Sequence, residues 1–458
     1  MANEDIRLIL ENQRNFFSTG KTMDIGYRLE NLKKLKSLIL EHEQDIVKAL
    51  WKDFRKPEFE VIATETRFVI KELNLAIRRL KSWTRPKRVR TPILHFLAHS
   101  YIIPQPYGQV LVLSPWNFPF QLAFLPMIGA LAAGNCVVVK VSRQVPSVMN
   151  VMEKILNNFP QELVALMNGD HSVSEYLLNY RFDYIFFTGS CEIGRYVMQK
   201  AAGNLTPVTL ELGGKNPCII AEDAKLEFAA RRIVWGKFLN AGQTCISPDY
   251  LIVHKKIKDK FISLIKKELN TFYEGKTFES TSFARIINST NVIRLSELMK
   301  GRNIIEGGIT NEEDRYVSPT IVTDVLPDDP LMKEEIFGPV LPLLVFEDLD
   351  EIFPIIEKNP KPLASYIFTN NKKLIPEFLN KTQSGSVGIN DTVTQIASPY
   401  LPYGGVACSG LGRYHGKASF ETFSNMRSVL AKSNLLDIPI RYPPYNNFKN
   451  RIIKLLMR

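Results

Sequence analysis

Three observations predict an α/β protein with two sheet-bearing units. From about residue 101, short and continuously apolar runs alternate with helical patterns, as expected of parallel strands covered on both faces. The alternation starts afresh after Pro217. The chain is 458 residues long, and at about 150 residues per domain that predicts two or three domains.

The opening hundred residues read as helical. Leu29, Leu32, Leu35, Leu38 and Ile39, then Ile46 and Leu50, recur at spacings of three and four with Lys and Glu between them. A second periodic run extends from Glu60 to Trp83 and ends in a basic, Pro-containing stretch with Lys81, Arg85, Lys87, Arg88 and Arg90. Without interleaved aromatics that stretch reads as a solvated connector; nucleic-acid binding has only the charge in its favour. In the first unit the strands are Gln109–Leu113, Cys136–Val141, Tyr184–Phe187 and Pro207–Glu211. Phe118 to Gly134 is the longest apolar stretch. It holds Pro119, Gln121 and Pro126 and has only 17 residues, so it reads as a buried helix beside a ligand site rather than a membrane span. The second unit runs through CIIAED from Cys218, a helix to Lys237, YLIVHKK from Tyr250, a helix to Phe272, PLASYIF from Pro362, a further helix, and SVGIN from Ser386. In the tail, from Ala431 to Arg458, six basic residues outnumber one acidic residue. As a helix it places Phe448, Ile452, Leu455 and Leu456 on one side, with Arg451, Lys454 and Arg458 on another. Two readings stand equally: contact with an anionic membrane surface, or a tail that packs on a partner subunit or simply frays.

Composition removes several classes. Apolar residues make up 45% and charged residues 23%, which excludes wholesale disorder. The net charge of +11 allows an anionic partner but says nothing about fold. Cys136, Cys191, Cys218, Cys245 and Cys408 contain no CxxC pair, so neither a disulfide framework nor a metal site is expected. The acidic start, Met1 to Asp5, fits neither a signal peptide nor a transit peptide, and a cytoplasmic location is the expectation.

Several local patterns carry chemistry. SPWNFPF (Ser114 to Phe120) follows a strand and opens a helix, placing the Asn117 amide where α/β sheets bind ligands. FTGSCEIGR (Phe187 to Arg195) is a strand–turn–helix, with Gly189 allowing close backbone approach and a helix N-terminus suited to phosphate. LELGGKNP places the carboxylate of Glu211 at a strand end, and NAGQTCISPDY places Cys245 after a helix. EEIFGPV joins Glu335 and Phe337 to a Gly-Pro turn. Each alone has an ordinary structural explanation: a plain turn, a salt-bridged Glu, a small buried Cys.

Together, in this order and over essentially the whole chain, these motifs and LPYGGV resemble the aldehyde dehydrogenase superfamily. SPDY, PVTLELGGK and the YHGKASFETFS run (Tyr414 to Ser424) are similar to class 3, the branch handling fatty and aromatic aldehydes. The resemblance implies a Rossmann-like dinucleotide-binding domain (1–83 and 107–209), an α/β catalytic domain (210–420), and a β-hairpin and tail (84–106 and 421–458) for homodimer contacts. It implies Cys245 as the nucleophile that forms a thiohemiacetal and then a thioester, Asn117 as an oxyanion donor, and Glu211 as the base for hydrolytic water. It also implies NAD or NADP bound by Lys140 at a ribose, Gly189 and Ser190 at the pyrophosphate, Glu335 at the nicotinamide ribose and Phe337 at its ring. Pro115 and Trp116 would shape the channel. The chain departs from the family in one informative place. Where most members carry Glu three residues after the lysine, it has Arg143, which with Ser142 suits a 2′-phosphate and predicts acceptance of NADP; the alternative is a solvent-facing Arg with NAD still used. Cys191 and Cys408 read as passive small residues. The competing functions are a CoA-acylating dehydrogenase and a catalytically retired binding protein.

Overall fold

The computed structural model describes residues 3–437 and 439–457. A six-stranded sheet is built in the order Gly410–Leu411, Val208–Glu211, Tyr184–Thr188, Gln109–Ser114, Cys136–Val141, Val164–Met167. All neighbours are parallel except the two-residue edge strand Gly410–Leu411, which runs antiparallel to Val208–Glu211. The continuous apolar runs follow from two covered faces. Val110, Val112, Val137 and Val139 join one core, while Leu111, Leu113 and Val138 join another. On the first face lies the helix Pro119–Ala133, buried along its whole length as the sequence predicts. It packs against Ile25–Glu41, Arg67–Trp83 and the strand Cys136–Val141. On the second face Ile6 and Leu10 of Asn3–Ser18 meet Val173, Leu177 and Val197.

A seven-stranded sheet follows in the order Asn303–Glu306, Thr320–Thr323, Val340–Phe346, Tyr250–His254, Pro217–Ile220, Ala364–Phe368, Ser386–Ile389. Its strands are parallel apart from Asn303–Glu306 at the edge. The strands at 303–306, 320–323 and 340–346 were not distinguished in sequence, because a Pro sits inside Val340–Phe346 and the other two have only four residues each. The basic connector is partly a strand. Lys87–Val89 pairs with Ala98–Pro106, and Ser424–Lys432 adds the third strand of a small antiparallel sheet.

The second periodic run is not one helix. Glu58–Val61 and Arg67–Trp83 flank a π-helical turn, Ile62–Thr66, and wide turns of this kind recur at functional sites. Within this stretch Glu60 and Glu65 point their carboxylates inward rather than to solvent. The tail forms the amphipathic helix Asn447–Leu456, N-capped by Asn446, and none of its residues is buried. Among the described residues no helix is long and apolar enough to cross a membrane.

Candidate active site

In the six-stranded sheet the chain order reverses between Gln109–Ser114 and Tyr184–Thr188, which creates a crevice at their carboxyl ends. The loop after the first strand carries Pro115, Trp116 and Asn117. The loop after the second carries Gly189 and Ser190, and the Ser190 hydroxyl caps the helix Cys191–Ala202 by accepting the Ile193 N–H. The seven-stranded sheet presents the loops entering its strands, so Cys245 and Glu335–Phe337 arrive from the opposite side. One cavity of about 370 Å³ is lined by both sets, including Asn117, Gly189, Glu211, Cys245, Glu335 and Phe337.

Asn117 is buried, and its Nδ2 donates to the Gln243 carbonyl at 3.1 Å. The same carbonyl accepts from Asn240 Nδ2 at 3.2 Å, which also donates to the Asn117 carbonyl at 2.9 Å. The amide of the proposed oxyanion donor is thus tied directly to the loop bearing Cys245. That loop is left-handed at Asn240, Ala241 and Gly242. A Cβ on Gly242 would lie 2.3 Å from the Gly338 carbonyl oxygen, so the close approach of the two loops needs glycine there. Glu60 accepts the Asn240 N–H at 2.9 Å, and Glu65 accepts the Gln121 N–H at 2.8 Å while pairing with Lys56 at 2.6 Å. One helical segment therefore holds both the Asn117 loop and the Cys245 loop. From the other side Asn216 Nδ2 donates to the Cys245 carbonyl at 2.8 Å, and the Tyr366 hydroxyl to the Ile246 carbonyl at 2.5 Å.

The ionisable groups of the cavity are displaced toward their neutral forms. Burial pushes the Cys245 thiol up to about 12. Glu211 is buried, neither carboxyl oxygen has a hydrogen-bond partner, and burial drives its carboxyl well above the usual range against a weaker pull from Arg413. Glu335 is pushed up to about 8 by burial and by the nearby Asp249. Its carboxylate rests against Gly213, where any Cβ would collide with it. Asp249 binds Lys215 at 2.6 Å and accepts the Ile336 N–H, so LELGGK and EEIFGPV are fastened together. Trp116 meets the Phe337 ring edge-on at 5.5 Å.

Lys140, Ser142 and Arg143 lie apart from this cavity, at the carboxyl end of the adjoining strand. The Ser142 N–H donates to the Ser114 carbonyl, which keeps them on the same sheet edge. Arg143 is exposed; it and Asp170 both influence the buried Lys140, whose ammonium is pushed down chiefly by that burial. The residues of this edge fit a dinucleotide: Ser114 Oγ and Thr188 Oγ1, at the two strand ends flanking the crevice, are buried polar atoms without partners, and an uncrowded helix N-terminus adjoins them. Among the described residues no group of His, Cys, Asp and Glu could hold a metal ion. Sequence reasoning missed Glu60, Glu65 and Asn240, which act through the backbone of distant segments, and Tyr403, Tyr414 and His415. The last three cluster behind Cys245 and Glu211, and their only signal was membership of the LPYGGV and YHGK runs.

A thiol, two carboxyls raised by burial and a crevice at the strand ends of an α/β sheet open on one cavity, an arrangement suited to an oxidoreductase. The aldehyde dehydrogenase family model matches residues 1–429, and the chain belongs to that family. It is an NAD(P)-dependent aldehyde dehydrogenase. The 4,4'-diaponeurosporen-aldehyde dehydrogenase of Staphylococcus aureus is 42% identical over 98% of both chains. A dimeric NADP-preferring aldehyde dehydrogenase of Canis lupus familiaris is 40% identical, over 95% of this chain and 97% of that one. The substrate-bound structure of Staphylococcus aureus AldH matches with a TM-score of 0.97 at 42% identity, covering 99% of each chain.

Proposed function

We propose that this protein oxidises hydrophobic aldehydes to free carboxylic acids, with Cys245 as nucleophile, Asn117 as oxyanion donor and Glu211 as hydrolytic base. The observation that carries this reading is the meeting of Cys245, the partnerless carboxyl of Glu211 and the Asn117 amide in one cavity that continues into the crevice. Cys245 Sγ adds to the aldehyde carbon, and the oxygen takes up charge beside Asn117 Nδ2 and the Cys245 N–H. Asn117 spends one amide hydrogen on Gln243, which fixes the direction of the other. Nicotinamide held at Glu335 and Phe337 would supply the hydride acceptor needed to oxidise this adduct to a Cys245 thioester. Glu211 then draws a proton from water attacking the thioester, a task for which a buried carboxyl without a protein partner has a suitably raised basicity. This base favours water over CoA as the acyl acceptor.

Lys140, Ser142 and Arg143 would hold the adenosine end, Gly189 and Ser190 the pyrophosphate, and Glu335 and Phe337 the nicotinamide ribose and ring, with Pro115 and Trp116 lining the channel. The exposed guanidinium of Arg143 supports acceptance of NADP, and the canine relative is named as NADP-preferring. On the substrate side Phe68, Leu122, Leu239, Val393 and Ile396 line the cavity, which supports a hydrophobic aldehyde; the staphylococcal relative is named for 4,4'-diaponeurosporen-aldehyde. The deciding experiment is a chain-length and aromatic aldehyde panel with NAD⁺ and NADP⁺, scoring free acid without CoA. Acid formation by the wild type and its loss in Cys245→Ala are expected. Product only in the presence of CoA, or turnover by Cys245→Ala, overturns the reading.

The two sheets are read as the dinucleotide-binding and catalytic domains, and the three-stranded sheet as the element that forms a homodimer. The exposed amphipathic tail helix supports peripheral membrane contact by a cytoplasmic enzyme. Deleting residues after Tyr445 should then impair long-chain aldehydes and spare short ones; equal effects on both remove the membrane reading.

A further inference from the structure

Cys245 must ionise to react, yet its setting opposes ionisation. The thiol is half-buried in the cavity wall, its loss of solvent opposes charge, and the carboxyls of Glu335 and Glu211 disfavour a negative sulfur. The side chain that meets Sγ is Tyr403, whose hydroxyl lies 3.5 Å away, an ordinary length for a hydrogen bond involving sulfur. This hydroxyl is aimed by a braced ring. The backbones of Tyr403 and Tyr414 exchange hydrogen bonds of 2.9 and 2.8 Å, and the Tyr403 ring stacks on His415 at 5.1 Å with 16° between planes. Phe68 packs edge-on against the far side of that imidazole, and the His415 N–H is held by Ser419 Oγ at 2.8 Å. His415 is itself buried and kept neutral, so the stack adds no charge.

We propose that Tyr403 is a catalytic residue whose hydroxyl donates a hydrogen bond to the Cys245 sulfur and stabilises the thiolate that adds to the aldehyde. This rests on the reading of Cys245 as the nucleophile. The phenol keeps its own proton: burial and the neighbouring Cys245, Glu211 and Tyr414 push its ionisation far above the working range, so it stays a donor. The thiol proton leaves to water in the cavity. The S–C bond forms as the carbonyl π bond opens, and the charge passes from sulfur to the oxygen beside Asn117. The other titratable groups facing the pair are Glu335, Tyr366 and Tyr414; Tyr366 and Tyr414 remain protonated for the same reason of burial.

The test is the pH dependence of iodoacetamide alkylation in coenzyme-free protein, mapped to Cys245 by peptide mass spectrometry, in wild type and Tyr403→Phe. Phenylalanine keeps the ring against His415 and removes only the donor. Loss of one charge-assisted hydrogen bond should raise the alkylation midpoint by about one pH unit and lower kcat/KM about tenfold at neutral pH, with recovery in alkaline buffer. Tm and the Kd for NAD⁺ and NADP⁺ should hold. Replacing tyrosine with 3-fluorotyrosine strengthens the donor and should move the midpoint down, which keeps the test available if Tyr403→Phe is poorly recovered. An unchanged midpoint in either protein overturns the role of Tyr403. Aldehyde turnover by Cys245→Ala would instead overturn the nucleophile assignment.

Discussion

The pair Lys56–Glu65 offers a sharp test of how the two active-site loops are held. Both side chains are fully buried and their charges lie 2.6 Å apart. At an effective dielectric of about 20 their attraction is about 6 kcal/mol, while desolvation costs several kcal/mol for each ion, so the intact pair contributes close to nothing net. Removing one partner is different, because the survivor keeps its desolvation cost and loses its compensation. Glu65→Gln and Lys56→Met should each destabilise by about 3–5 kcal/mol, whereas breaking the solvent-exposed pair Arg7–Glu4 should leave stability almost unchanged. The double variant should cost much less than the sum. Its introduced amide oxygen still accepts the Gln121 N–H, and its introduced thioether chain still covers the Phe118 ring, which lies 3.8 Å from the Lys56 ammonium. The assay is a double-mutant cycle in ligand-free protein by denaturant unfolding, with kcat measured alongside. A shift of the Gln121 anchor in either single variant should reach Asn117, and a displacement of about 1 Å there costs up to about 100-fold in rate. Effects that add within about 0.5 kcal/mol would refute the reasoning, as they would place Lys56 and Glu65 in independent environments.

Asn117→Ala should lower kcat by about 10²–10³ with a much smaller change in KM, because the amide acts on charge that develops only in the transition state; steady-state kinetics on one good aldehyde suffices. Arg143→Glu should shift the ratio of kcat/KM for NADP⁺ over NAD⁺ at least about tenfold toward NAD⁺, since a carboxylate replaces a guanidinium beside the 2′-phosphate; an unchanged ratio assigns Arg143 to solvent. Burial raises both the Cys245 thiol, to about 12, and the Glu211 carboxyl, and in the proposed mechanism both groups work only after losing a proton. Activity must therefore rise with pH, and kcat/KM should climb from mildly acidic into alkaline buffer; a profile flat across that range counts against these environments.

What could be read in advance followed from local rules. Strands such as Cys136–Val141 are buried on both faces and so announce themselves as unbroken apolar runs. Pro119–Ala133 is apolar all round because it is covered all round. That Asn117, Glu211 and Cys245 share one cavity was legible through ordered motifs rather than through physics, since each residue type is ambiguous alone. What stayed hidden depends on distance. Glu60 lies 180 residues from the Asn240 backbone it holds, and Tyr403 lies 158 residues from Cys245. No periodicity encodes such meetings. The π-helical turn at Ile62–Thr66 was equally hidden, because its residues continue an acceptable α-helical pattern while the backbone widens.

Five of the backbone conformations that ordinary residues avoid lie at or beside the cavity, and they are held by polar or aromatic neighbours. Asn240, Ala241, Phe337, Val393 and His415 all lie in positive-φ regions, the β-branched Val393 at φ 64 being the least natural occupant. Such positions cost on the order of 1–3 kcal/mol each and persist only where neighbours over-determine them. The neighbours are identifiable. Glu60 and Gln243 hold Asn240; Asp249, through Ile336, and the Trp116 ring hold Phe337. The Tyr366 hydroxyl accepts the Val393 N–H, and Ser419 with the Tyr403 ring fixes His415. Tyr366 ties two of these points together, since its hydroxyl also donates to the carbonyl of Ile246, the residue after Cys245. Strain at the loops and rigidity in their supports are thus one arrangement: the supports hold Cys245, Asn117 and the Phe337 ring in positions that an unstrained chain would leave.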